Sequence, residues 1–124
     1  MHYKTFGWHL LIDAKNCDSR TSLDKKAVSD FMAKLVKDTK MVAVGGPNIT
    51  YHHDEKEGVF GLSAVQIIET SDITFHFDTK TKEGYFDFFS CKKFEPKKAI
   101  EDFQECFNPT TMVTRFLRRN SLKF

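Results

Sequence analysis

Residues 71–77 alternate without a break. Ile73, Phe75 and Phe77 fall on one face of an extended segment, and Asp72, Thr74 and His76 fall on the other. A period of two is the pattern of a strand buried on one side. A polar stretch closed by Gly84 then leads into Tyr85–Cys91, and a largely apolar run from Val59 to Glu69 precedes the alternation. The segment is therefore the middle of three consecutive antiparallel strands, and the apolar face of such a sheet has to be covered by another layer.

Two helices are available for that layer. After Ser22, read as an N-cap, Ala27, Val28, Phe31, Met32, Leu35 and Val36 recur at the spacing of one helix face. A second helix starts at Pro96, which a first turn accepts, and carries Ala99, Ile100, Phe103 and Phe107 on one side until Asn108-Pro109. Trp8–Asp13 reads as a first strand, Met41–Val44 as a strand stopped by Gly45-Gly46-Pro47, and Thr111–Leu117 as the last strand. Residues 48–57 are polar and show no period, so a long loop is expected there. The order β-α-β-β-β-β-α-β has too few helices, too far apart, for a doubly wound parallel sheet. The expected class is α+β, a two-layer sandwich with an antiparallel sheet and its helices packed on one face.

With 124 residues, 40% of them hydrophobic and 13 of them Phe, the chain holds enough apolar material for one core, so residues 1–124 are expected to form a single domain. A formal charge of +2 is too small for a polyanion-binding field. Arg115, Arg118, Arg119 and Lys123 make the end locally basic, but no aromatic platform is interleaved with them; a solvated tail and no nucleic-acid partner are expected. No apolar run approaches the roughly 20 residues of a membrane span, and Met1-His2-Tyr3-Lys4 does not open a signal peptide, which points to a cytoplasmic protein. Cys17, Cys91 and Cys106 are odd in number and widely spaced, suiting neither a disulfide framework nor a zinc site and leaving a candidate working thiol. His52, His53 and Asp54 are adjacent, and neighbouring side chains in extended backbone point apart, so no metal site is read there. A fold this small has little room for a large bound cofactor, which favours a shared interface or a cofactor made from the chain.

The usual nucleotide-binding, zinc-protease and α/β-hydrolase motifs are absent. What remains is Ser63, Ser71, His76 and Cys91 on three successive strands. Taken singly, each is an ordinary sheet residue; their spacing is the specific feature. Ser63, in Gly61-Leu62-Ser63, lies eight residues before Ser71, His76 lies five after it, and Cys91 lies twenty after it, following Asp87-Phe88-Phe89-Ser90. Together with Gly7-Trp8-His9-Leu10 and Cys17-Asp18, this arrangement resembles the prokaryotic S-adenosylmethionine decarboxylase family over most of residues 7–107.

The resemblance implies a proenzyme that cuts itself between Thr70 and Ser71, giving chains 1–70 and 71–124, with Ser71 becoming a pyruvoyl group. Within it, His76 would be the base of the elimination that splits the chain, Ser63 would assist the acyl shift, and Cys91 would later donate a proton to substrate carbon. The pyruvoyl ketone forms a Schiff base with the amine of an amino-acid-type substrate and takes up electrons as carbon dioxide leaves, in place of pyridoxal phosphate. The resemblance also implies a homodimer and a role in polyamine biosynthesis, with S-adenosylmethionine as substrate. The chain departs from the family at Thr70-Ser71-Asp72, where Glu-Ser-His is usual, and at Phe77-Asp78-Thr79-Lys80, where Thr-Trp-Pro-Glu is usual. Glu57, Phe60 and Asp72 are the candidate substrate contacts. The acids of residues 52–57 would also suit a terminal cation, which keeps L-ornithine or L-arginine as a second reading. A non-processing relative serving as a binding or regulatory partner is a third.

Overall fold

The computed structural model describes residues 5–121. In chain order they form β1 (Thr5–Lys15), α1 (Ser19–Ser22), α2 (Lys25–Asp38), β2 (Asn48–Asp54), β3 (Gly58–Ile68), β4 (Ser71–Asp78), β5 (Gly84–Ser90), α3 (Pro96–Phe107) and β6 (Thr111–Asn120). The strands make one sheet in the order β2-β3-β4-β5-β1-β6, and each neighbouring pair is antiparallel. The alternation of β4 carries through the register: Ile73 pairs with Phe88, which pairs with Leu10, and Phe75 pairs with Phe86, which pairs with Ile12. All six are buried.

These rows meet the aromatic faces of α2 and α3. Phe107 stacks on Phe75 at 4.3 Å between ring centroids, and Phe31 meets Phe86 edge-on at 5.9 Å. Such pairs add to the burial of the rings themselves. Between the helices, Lys34 Nζ donates to Asp102 at 2.7 Å and to Asp38 at 2.8 Å, tying α3 to the end of α2. The result is the α+β sandwich expected from the sequence, with the helices on one face of an antiparallel sheet.

Four local expectations are corrected. Ser22 is not a cap: it ends α1 with its hydroxyl buried and unpartnered, while Asp18 caps α1 and Asp24 caps α2, accepting from Lys26 N–H at 2.9 Å. A carboxylate two residues on suits the positive end of the helix better than the hydroxyl. Met41–Val44 is not a strand; only Ala43 bridges to Ile68 before Gly45 turns the chain at φ +72°. Residues 48–54 are not loop but the edge strand β2, with Ile49 packed against the core and Tyr51 Oη donating to Leu23 O at 2.6 Å. Finally, β6 runs to Asn120, so Arg115, Arg118 and Arg119 are exposed strand residues rather than tail, and Arg119 lies over the Phe89 ring at 4.7 Å. Lys123 and Met1–Lys4 lie outside the described residues. Among the described residues no helix is long and apolar enough to cross a membrane.

Phe103 is fully buried against Phe31, Phe75, Phe86 and Phe107. Phe103→Ala is expected to cost about 3–5 kcal/mol in denaturant unfolding, whereas Val44→Ala, at a half-exposed position, should stay within about 0.5 kcal/mol.

Candidate active site

The helices leave the opposite face of the sheet uncovered, and the polar phase of each strand points there. On that face Ser63 of β3 sits opposite His76 of β4, which in turn neighbours Tyr85 of β5. Ser63 Oγ lies 2.7 Å from His76 Nδ1 and 2.6 Å from a second imidazole nitrogen, His52 Nε2. His52 reaches it because its register partner is Gly61. A Cβ at Gly61 would stand 2.7 Å from Phe77 O, so glycine is needed for β3 to lie this close to β4, while His52 Cδ2 at 3.6 Å is in ordinary contact. A break in register between His52 and His53 leaves Phe60 unpaired, with its ring 5.8 Å from that of His52. His52, Phe60, Ser63, His76, Asp78 and Tyr85 border a pocket of about 240 Å³. The Tyr85 hydroxyl donates to the Glu83 carboxylate, which holds its pKa above the usual tyrosine value.

A second group lies at the other end of β4. Ser71 opens the strand opposite Ile68 and Ser90, directly after the turn at Glu69-Thr70. The Thr70 carbonyl accepts the Cys91 N–H at 3.1 Å, and Thr70 Oγ1 lies 2.7 Å from Ser90 Oγ. The carbonyl that Ser71 would attack is thus already polarised by a backbone donor, the arrangement that stabilises a developing oxyanion. Asp72 follows on the uncovered face, opposite Ile67 and Phe89.

The four residues singled out by spacing therefore fall into two pairs. Ser71 and Cys91 sit at one end of the sheet, and Ser63 and His76 sit five residues of β4 away, about 17 Å at roughly 3.3 Å per residue. Of the candidate substrate contacts, Phe60 lies with the second pair and Asp72 with the first. Glu57, at the β2–β3 turn, meets Lys80 Nζ at 2.8 Å, so its charge is already partnered. Asp54 in the same turn accepts the Lys56 and Glu57 N–H groups, which holds its carboxyl below the usual range.

The cysteines separate by environment. Burial pushes the Cys17 thiol up to about 11 and the Cys106 thiol up to about 12. Cys17 packs against Gly84, where a Cβ would come within 2.8 Å of its Sγ. Cys91 alone is exposed. Among the described residues no group of three or more His, Cys, Asp or Glu is placed to hold a metal ion.

His52, Tyr85 and Asp87, whose Oδ1 lies 3.1 Å from His9 Nε2 on the uncovered face, were not among the candidate residues read from the sequence. Tyr85 and Asp87 share the outward phase of β5, which the alternation could have indicated. His52 shares the outward phase of β2 with Thr50, but that phase has meaning only once residues 48–54, expected as loop, are paired as a strand.

A family model described as S-adenosylmethionine decarboxylase matches residues 8–120. The crystal structure of the adenosylmethionine decarboxylase from Aquifex aeolicus VF5 superposes with a TM-score of 0.75 at 18% identity, covering 97% of this chain and 95% of that one. No curated protein matches the chain in sequence.

Thiol alkylation at pH 8 should show one fast-reacting cysteine, lost in Cys91→Ala; the half-buried Cys106, its pKa raised, should react slowly, and Cys17 only as the fold opens. A second fast thiol in the native protein would contradict the burial described.

Proposed function

Because the chain belongs to the S-adenosylmethionine decarboxylase family, a family of pyruvoyl-dependent carboxy-lyases, we propose that it cuts itself between Thr70 and Ser71 and decarboxylates S-adenosylmethionine in sites shared by two copies. The observation that carries this reading is the Thr70 carbonyl held on the Cys91 N–H, with Ser71 beside it and the Ser63–His76 pair at the far end of the β3–β4 ladder.

In processing, Ser71 Oγ adds to the Thr70 carbonyl carbon while the Cys91 N–H receives the negative charge that builds on oxygen. Collapse breaks the Thr70–Ser71 C–N bond, leaving an ester and a free Ser71 amine. A base then takes the Ser71 α-proton, and the Thr70 carboxylate leaves from Cβ. The dehydroalanine that remains takes up water and releases ammonia, which gives the pyruvoyl end. Once formed, that group supplies an electron sink for loss of the substrate carboxylate. Ser71 is the only part of the chain that must change covalently, and its half-buried start on β4 beside Cys91 fits the group. Cys91, exposed one residue past β5, would deliver a proton to substrate carbon. Asp72, one residue from the cut on the uncovered face, would hold a cationic part of the substrate, and Phe60 would supply apolar contact.

A single chain leaves the proposed base about 17 Å from the cut, roughly five residues of strand. A second copy laid face to face on the uncovered side removes that gap. With the twofold axis running across the strands near Thr74, strand direction reverses, and the partner's Ser63–His76 end lies over Asp72, Cys91 and the backbone at the cut; the Ser71 side chain shares the phase of Ile73 on the helix side, so cutting has to release the start of β4 toward the shared face. Stacked sheets sit about 10 Å apart, close enough for side chains to meet. Ile67, Val113 and Leu117, each about half exposed, offer apolar surface for that contact. One domain spanning residues 1–124 would outlast the cut, because β1 of the first fragment lies between β5 and β6 of the second.

Denaturing intact-mass spectra should show fragments 1–70 and 71–124, which co-elute without denaturant, and Ser71→Ala should remain whole. Cys91→Ala should still be cut, with decarboxylation lowered about 100-fold or more. Co-production of the His76→Ala chain with the Ser71→Ala chain should restore cutting of the former, since one site of the hybrid has both intact groups. Cutting of Ser71→Ala would refute the assignment, a wild-type chain that stays whole on incubation would favour a binding or regulatory role, and no rescue in the hybrid would refute the shared site.

A further inference from the structure

The Ser63 hydroxyl lies between two imidazoles, 2.6 Å from His52 Nε2 and 2.7 Å from His76 Nδ1. A hydroxyl has one proton, so it donates to one ring and accepts from the other. The two directions assign different tautomers to His76. If Ser63 donates to His76, Nδ1 holds a lone pair engaged by that bond and the ring proton sits on Nε2. If Ser63 donates to His52, His76 Nδ1 carries the proton and donates it to Ser63, and the untouched Nε2 holds the lone pair. Only the second direction leaves His76 with a free basic nitrogen.

We propose that His52 is a positioning residue for self-cleavage: as the terminal acceptor of this chain it draws the Ser63 proton toward itself and holds His76 in the form whose Nε2 is the base. The inference rests on the reading of His76 as the processing base. His52 pairs with Gly61 beside the β2 register break, and its ring reaches Ser63 with the Phe60 ring beside it. The other polar groups of the pocket do not compete. Asp78 Oδ1 accepts the Lys80 and Thr81 N–H groups and the Tyr85 hydroxyl donates to Glu83, and neither side chain is hydrogen-bonded to Ser63, His52 or His76. Without His52, the described side chain left to accept the Ser63 proton is His76 Nδ1, and the tautomer reverses.

Ring nitrogen-15 spectra of His76 test this in the Ser71→Ala chain, which keeps every protein compared in one covalent state. The expected form is Nδ1–H in that parent, Nε2–H after adding His52→Ala, and Nδ1–H again with His52→Glu, whose carboxylate only accepts. In the otherwise wild-type chain, cutting should slow at least about tenfold with His52→Ala and largely recover with His52→Glu. His76 already in the Nε2–H form in the parent, or a tautomer unmoved by His52→Ala, overturns the inference. The spectra come from protein that cannot cut, so they bear on the tautomer alone; self-processing itself would be overturned by a wild-type chain that stays uncut.

Discussion

The β3–β4 ladder is the constraint on which the rest of the molecule depends. A turn of two residues, Glu69 and Thr70, joins the strands and sets Ile68 opposite Ser71. That one register puts Ile73, Phe75 and Phe77 under the helices and places Ser63 across from His76 on the other face. A slip of one residue would turn the apolar set of β4 to solvent and carry His76 into the phenylalanine core. The same burial that stabilises the sandwich therefore also aligns the polar face. The Thr70 carbonyl is fixed by the same pairing, since its partner, the Cys91 N–H, continues the β4–β5 ladder.

Two features at the sheet margin adapt this framework to chemistry. Gly61 has no side chain, which lets β3 lie against the Phe77 carbonyl of β4, and the ring of its β2 partner His52 crosses to Ser63. The register break beside it disrupts regular pairing at the rim, where bulges commonly re-aim side chains. Edge strands are the part of a sheet least committed to the core, and here the loss of packing at β2 is accompanied by a hydrogen-bonded contact with the pocket. The buried thiol of Cys17 and the half-buried thiol of Cys106 show the opposite use of similar chemistry: desolvation holds them protonated, and Cys17 fills space against Gly84.

The separation of the two polar pairs follows from strand geometry. Five residues of extended chain cannot fold back on themselves, so Ser71 and His76 of one copy cannot meet while β4 stays in the sheet. An uncovered face that mixes half-exposed apolar residues with the His9–Asp87 pair is a surface that a second copy could complete. The proposed shared site answers both facts with one symmetry operation. It also makes fold and activity interdependent, because the surface that carries Ser63 and His76 would be the surface that joins the copies.

Much of the fold was legible in residue order alone. The strict alternation of β4 and the i, i+3, i+4 repeats of α2 and α3 report burial on one side, and that periodicity needs no partner to be read. The family resemblance rested likewise on spacing, with Ser63, Ser71, His76 and Cys91 at fixed intervals. What escaped was whatever lacked a period or depended on distant pairing. Met41–Val44 has a strand's composition, yet only Ala43 finds a bridge, while the polar residues 48–54 form a full strand because β3 offers them an edge. His52 could enter the pocket only once that pairing existed. The sequence by itself determined which faces would be buried and which chemical groups were present, because both are properties of local order. Only the tertiary structure decided which groups meet, because register and strand adjacency join residues far apart in the chain through hydrogen bonds that no local pattern encodes.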